Sequence, residues 1–525
     1  MIETIKMLLA PAVLLFPFLA GIIKEVFILF IGYPLKIAWW VLRRTLFYAF
    51  PEQFGLGKTN AKFLGLFARF GLLSPLNAGL VLNGASGRLS EQDSFKNLVM
   101  IASTGWGKSS GFIIPNILKQ EKGSLVITDP SGDIFKQTSG HLLEKGYRVK
   151  ILNPLDIERS IRFNPLDGLT AYKDIDEIAH ILVNTANSDS SSPFWTNGAK
   201  TIISILARVL CSHQKLKPYA NLANVLHLLN NFEDGTPLNL FIEKYADPHT
   251  RNEYKGFISN AENTMQGLLA TAKTSLKAFA DPDVANLTAT NSFDFKMLRE
   301  EKTALFLIFP QNRISYYSFL MNIFYTKLFH YCLDDDLFKP DGLPIYFLLD
   351  EFGHLKIPDF ASIITTTRKR NISISIILQS ISQLEKQYGK HDTHTILNGG
   401  ITSRIFSSGL DLETNKMLSD TLGHIRHEIT TTRDGLQVKD DNLLEPYLIR
   451  TMKDNEALFL FANKPPVKLK ITRFFEDKAL LRETKKAPAD LIQRDFKRVE
   501  FYKLDQDEKR TGKEKTRGAK FEYER

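Results

Sequence analysis

The run "ASTGWGKSS", Ala102, Ser103, Thr104, Gly105, Trp106, Gly107, Lys108, Ser109 and Ser110, sets a small residue and four free positions ahead of a Gly-Lys-Ser triplet. That spacing suits a phosphate cradle. Gly105 and Gly107 let the backbone curl so that successive N–H groups point inward, Lys108 brings a point charge to the β- and γ-phosphates, and the Ser109 hydroxyl can reach Mg²⁺. Ala102 replaces the first glycine of the pattern, a mild departure because alanine is the smallest alternative. The residues from Ser109 onward predict a helix whose positive end adds to the site.

A cradle for ATP calls for acids nearby. "IYFLLDE" supplies Asp350 and Glu351 at the end of a buried strand, where unpaired carboxylates are costly and have little structural motive. Asp350 is expected in the Mg²⁺ shell and Glu351 beside the γ-phosphate, polarising the attacking water. The next apolar strand, "ISISIIL", ends at Gln379, whose amide can hydrogen-bond the γ-phosphate or the lytic water. Upstream, "TTTRKRN" offers Arg368, with Arg370 as the alternative, to reach a neighbouring subunit's nucleotide. The bland reading of those cations is a solvated helix end that complements the dipole. The expected geometry joins Lys108 to the acid pair across adjoining strands.

The elements that must hold these residues follow from the apolar runs. Short β-rich stretches at 97–102, 124–129, 147–152, 303–309, 345–351, 372–378, 403–408 and 457–463 alternate with helical ones. This predicts an α/β fold: a parallel sheet covered on both faces, with chemistry at the carboxyl ends of its strands. The assigned nucleotide-binding domain spans 85–170 and 300–475. Between them, 171–299 has apolar residues at three- and four-residue spacing and no β-rich run, which predicts an inserted all-α domain. From 480 to 525 both charges mix with little periodicity, as in a mobile or partly helical tail.

Sixty-seven Lys and Arg against 58 Asp and Glu leave a net charge of +9, compatible with nucleic acid or an anionic membrane surface. Two cysteines make neither a disulfide framework nor a metal-ligand spacing, and fit a reducing compartment. Residues 1–50 differ from the rest: 7–23 and 26–42 are apolar and parted only by Lys24 and Glu25. Each is at the short end of the roughly 17–25 residues that cross a bilayer. Arg43, Arg44, Lys58 and Lys62 follow, which places the remainder in the cytoplasm. Two crossings are expected, so the first 50 residues read as a multi-pass anchor in the lipid bilayer.

With these motifs in hand, the chain resembles the coupling proteins of type IV secretion systems, the TraG/TraD kind of conjugative ATPase. "NLVMIASTGWGKSSGFIIPNIL", "LVITDPSGDIF", "FNPLDGL", "PFWTNGAK", "YFLLDEFGHL", "ISIILQSISQLEKQYG" and "NEALFLFANKPPVKLK" carry the resemblance, in order, over about residues 90–475. It implies a RecA-like P-loop motor domain, an inserted all-α domain and N-terminal transmembrane helices in the bacterial inner membrane. It also implies a hexameric homo-oligomer that ATP and Mg²⁺ drive to pass relaxase-bound single-stranded DNA, or protein effectors, to the secretion channel components. By motif, Lys108 and Ser109 take phosphate and Mg²⁺, Asp350 and Glu351 the acidic roles, Gln379 the sensor role and Arg368 the trans arginine. The chain departs from the pattern twice: little separates its two apolar runs, and Ser131 stands in "DPSGD" where the family often carries lysine. Another ring-shaped DNA pump, or a secretion adaptor using ATP mainly for assembly, are the competing functions.

Overall fold

The computed structural model describes residues 61–187, 192–232, 236–431, 435–491 and 498–504. The expected membrane segments, at 7–23 and 26–42, lie outside them. Among the described residues no helix is long and apolar enough to cross a membrane.

The chain forms two compact units, of which the larger, 73–421 with 444–463 and 468–525, contains every residue named above as chemical. Its centre is a nine-stranded sheet. In chain order the strands are β1 (Leu98–Ile101), β2 (Ser124–Thr128), β3 (Arg148–Leu152), β4 (Thr303–Leu307), β5 (Ile345–Leu349), β6 (Ile372–Leu378), β7 (Ser403–Ser407), β10 (Glu456–Phe461) and β11 (Val467–Lys470). Two further strands, β8 (His424–Thr431) and β9 (Gly435–Asn442), pair with each other as an antiparallel hairpin in the smaller unit. In that unit Ala61 N–H donates to the His424 carbonyl at 3.0 Å and Leu64 N–H to the Pro466 carbonyl at 2.9 Å.

The order across the sheet is β11-β10-β7-β1-β6-β5-β2-β4-β3. Pairings from β7 through β3 are parallel. The central strands β1, β2, β4, β5 and β6 are buried at every position. That is why they read as continuous apolar runs without the alternation of a half-exposed sheet. The β10 run, expected in the parallel sheet, instead pairs antiparallel with β7. Antiparallel strands at the edge of a parallel sheet are common, because there one face needs no crossover helix.

The expected adjacency is also corrected. β1 and β5 are not neighbours, since β6 lies between them and pairs with both. The crossover that inserts β6 puts its end, Gln379, between the phosphate loop and the acid pair.

Between β3 and β4 the described residues form helices and turns only. The longer helices are α1 (Tyr172–Ala186), α2 (Pro193–Ser212), α3 (Leu222–Asn230), α4 (Thr236–Tyr245), α5 (Pro248–Ile258) and α6 (Glu262–Ser275). They close over their own core: a Cβ on Gly198 would strike Leu268 at 2.4 Å and one on Gly267 would strike Trp195 at 2.5 Å, so α2 and α6 meet at glycines. Trp195 lays its ring over Gly267 and, like Phe194 beside it, stays partly open to solvent.

Among its described residues the tail is partly helical and docked. Lys478–Glu483 is helical, Ala489 is buried with its N–H on Ser139 Oγ at 3.0 Å, and 498–504 is hydrogen-bonded to the helical layer. Composition averaged over the tail hides Ala489, Phe501 and Tyr502, the few residues that dock it. Residues 505–525 lie outside the described part.

Candidate nucleotide site

The phosphate loop leaves β1 at its carboxyl end. Ala102 N–H still donates to the Leu378 carbonyl at 3.0 Å and its backbone lies outside the left-handed region, so alanine serves there in place of glycine. Gly105 and Gly107 follow with φ of 80° and 101°. At Gly107 a Cβ would lie 2.9 Å from Ser110 Oγ and 3.2 Å from Arg473 Nε, so those side chains would have to shift on top of the strained φ. Both glycines thus do what the sequence pattern asks of them.

The helix expected from Ser109 opens instead with a π turn, Ser109–Ile113, and becomes α-helical over Ile114–Lys119. Ile114 N–H reaches back to the Ser109 carbonyl. Pro115, one residue on, has no N–H to give the Gly111 carbonyl, which breaks the regular ladder at this point.

Five of the candidate residues converge. Lys108 is 8% exposed, with Nζ 3.5 Å from the Ala102 carbonyl and 3.6 Å from Glu351 Oε1. Ser109 Oγ donates to Asp350 Oδ2 at 3.2 Å. Gln379 Nε2 donates to both Glu351 oxygens, at 3.1 and 3.2 Å, and Thr104 Oγ1 donates to Gln379 Oε1 at 3.4 Å. Gln379 is itself placed by its N–H on Gln383 Oε1 at 3.0 Å. Ser103 N–H donates to Ser407 Oγ at 3.1 Å, which ties the loop to β7, and Ser110 Oγ closes the turn on the Gly107 carbonyl at 3.3 Å. Trp106 is buried.

Electrostatics follow from this packing. Burial, and next the charge of Glu351, push the Asp350 carboxyl up to about 6, against the opposing pull of Lys108 and the Ser109 hydrogen bond. Glu351 sits at φ 52°, a left-handed conformation that costs a non-glycine residue about 1–3 kcal/mol. From this backbone conformation its carboxylate meets Gln379 and Lys108.

Ser109, Ser110, Asp129, Asp350, Glu351 and Phe474 help line a cleft of 330 Å³ beside these groups. A buried ammonium held only by long contacts, beside curled N–H groups, fits a phosphate. The hydroxyl and carboxylate oxygens of Ser109 and Asp350 are the hard donors that suit Mg²⁺.

Arg368 is not brought there. It lies exposed in the short turn Thr367–Arg370 before β6, at the end of that strand opposite Gln379. Seven strand residues separate the two ends, about 23 Å at 3.3 Å per residue. Arg370 is engaged within the chain, paired with Asp335 and stacked 4.8 Å from the Phe338 ring.

Two residues escaped the sequence reading. Arg473 Nη2 donates to the Trp106 carbonyl at 3.4 Å, so a segment beyond β11 leans on the phosphate loop. A lone arginine after a strand carries no spacing signal. Asp129, fully buried at the end of β2, accepts from Gly132 N at 2.9 Å and Phe135 N at 2.7 Å and caps the helix Asp133–Glu144. Its sequence signal is the strand-end Asp that opens "DPSGD".

Comparison with known proteins places this site in context. A family model described as "Type IV secretory system Conjugative DNA transfer" matches residues 76–514. Protein VirD4 of Rhizobium rhizogenes is 26% identical over 408 residues, covering 73% of this chain and 59% of that protein. The type IV secretion system-coupling protein VirD4 of Bartonella henselae is 23% identical over 416 residues, covering 74% and 64%. The chain therefore spans about three fifths of the length of these curated relatives. Among solved structures, the conjugative coupling protein TrwB superposes with a TM-score of 0.62 at 18% identity, over 79% of this chain and 93% of that one. TrwB in complex with ADP and Mg²⁺ gives 0.60 at 18% identity, over 79% and 94%. That likeness extends the mixed α/β fold with its large parallel sheet, and the match over most of the chain decides the family. The chain belongs to the type IV secretory system conjugative DNA transfer family.

Proposed function

We propose that this chain is a coupling ATPase, binding ATP and Mg²⁺ in the cleft beside Lys108 and spending hydrolysis on moving conjugative cargo. The observation that carries the reading is the convergence of Lys108, Ser109, Asp350, Glu351 and Gln379 at the carboxyl edge of one sheet. Family membership and the nucleotide complexes of TrwB support it.

The residues divide the work as follows. The loop Ala102–Ser110 wraps the phosphates, with Lys108 leaving Glu351 for the β- and γ-phosphate oxygens. Ser109 and Asp350 would hold Mg²⁺, which would neutralise phosphate charge when bound. Glu351, freed from Lys108, accepts the proton of the attacking water as general base. Gln379, already bonded to Glu351 and Thr104, is placed to feel whether a γ-phosphate stands between them. Arg368, too far to serve its own site, is the arginine offered to the next subunit.

In this reading 85–170 and 300–475 form a RecA-like motor, 171–299 an inserted all-α domain and 1–50 a bilayer anchor in the inner membrane. The motors assemble as a homo-oligomer, a hexameric ring, that engages relaxase-bound single-stranded DNA and type IV secretion channel components. The test is steady-state ATP hydrolysis by the full chain with and without single-stranded DNA. Wild type should turn over and be stimulated by DNA, whereas Lys108→Ala should fall at least about 100-fold. Turnover unchanged in Lys108→Ala refutes the site, and stimulation by an effector protein in place of DNA favours the adaptor.

A further inference from the structure

The last described segment, 498–504, lies on the helical layer in a way that is specific in chemistry. Val499 N–H donates to Asn286 Oδ1 at 2.8 Å. Asn224 then takes the main chain with both ends of its amide: Nδ2 donates to the Glu500 carbonyl at 2.9 Å and Oδ1 accepts from Tyr502 N–H at 2.8 Å. His227 Nε2 lies 3.0 Å from the Tyr502 carbonyl, an acceptor, so that nitrogen carries the proton. Four hydrogen bonds to the backbone of residues 499–502 require no particular side chain there. The Tyr502 ring supplies the selection. It stands edge-on to Tyr219 at 5.4 Å and tilted to Phe241 at 5.1 Å, with Tyr245 6.5 Å away.

Asn224 is fully buried in the first turn of α3. A buried amide at that place pays off only if something satisfies it, and Asn221 meets just one of its donors, at 3.1 Å. The remaining N–H and the carbonyl oxygen are met by the main chain of 500 and 502. The side-chain amide thus does for a peptide what a neighbouring strand would do, and an aromatic pocket fixes the register.

We infer that the helical layer between β3 and β4 carries a binding site for an extended peptide bearing an aromatic residue, and that 498–504 occupies it in cis as a releasable strap. The strap's near end is pinned elsewhere: Ala489 N–H bonds Ser139 Oγ on the helix Asp133–Glu144, which leans on the sheet. Docking 498–504 therefore tethers the helical layer to the sheet, and releasing it removes the tether and opens the pocket.

The experiment uses the full chain and a variant, Val499→Pro with Tyr502→Pro, that deletes both donated main-chain bonds and the ring while leaving the site residues intact. The probe is a fluorescent peptide, RVEFYKL, with a scrambled control, followed by anisotropy. Hydrogen exchange is read at amides 499 and 502 of wild type. Those two amides should be protected, and the peptide should bind the double-proline chain at least about tenfold tighter than wild type, where the tethered copy competes. Adding Asn224→Asp, which removes the donor to the Glu500 carbonyl, should abolish that capture. Unprotected amides, equal affinity for both chains, no capture by the double-proline chain, or equal capture of the scrambled peptide overturns the proposal.

Discussion

At the scale of single residues, the site is an arrangement in which each polar group is satisfied by another that nucleotide would replace. Lys108 rests against Glu351, Ser109 against Asp350, and Gln379 against Glu351 and Thr104. The loop takes its curl through Gly107, at φ 101°, where a Cβ would also press on Ser110 Oγ and Arg473 Nε. Gly107→Ala should therefore weaken nucleotide binding without unfolding the sheet, by at least about tenfold, since a non-glycine residue in such a region costs about 1–3 kcal/mol. Binding of a fluorescent ATP analogue checks it, and unaltered affinity would mean the loop is free to relax. The loop, the acid pair and Gln379 were all legible in the sequence, because their spacing and strand-end positions are local properties. Arg473 was not, because its relation to Trp106 exists only after residues 367 apart in the chain have been folded together.

At the scale of elements, the strands were readable because burial on both faces makes them uniformly apolar, and the helices because their apolar residues recur every three or four positions. Strand order was not readable. Nothing in "ISISIIL" says that it slots between the strands carrying Lys108 and Asp350, yet that insertion is what puts Gln379 at the centre. The docking of the tail was not readable for a related reason: it depends on isolated residues. One such contact has a pH signature. Lys486, and after it His141, whose Nδ1 is 2.8 Å from Glu483 Oε2, hold the Glu483 carboxyl down to about 2. A depressed carboxyl adds stability that is fully present above its unfolded value of about 4.3 and is lost as pH falls towards the folded one. Wild type should melt above Glu483→Gln at neutral pH, and the gap should close between roughly pH 5 and 2. A gap that persists at the acid end would mean the carboxylate charge is not what holds the helix Lys478–Glu483.

At the scale of the whole molecule, one chain presents a nucleotide cleft at one edge of its sheet and an exposed arginine before β6 at the other. In the proposed ring, a neighbouring subunit would bring its Arg368 to this cleft. Arg368→Ala should hydrolyse ATP poorly as a homomer. Mixed with Lys108→Ala subunits it should recover, because some interfaces then pair an intact cleft with an intact arginine; failure to recover would place Arg368 outside the reaction. The most direct measurement is a single-turnover comparison of Glu351→Gln with wild type at saturating ATP and Mg²⁺. Nucleotide affinity should be kept, while cleavage of the bound γ-phosphate slows by about 10²–10⁴-fold, the usual share of a general base. Cleavage at the wild-type rate would contradict the assignment of Glu351 and, with it, the claim that Lys108 and the Asp350–Glu351 pair close on one triphosphate.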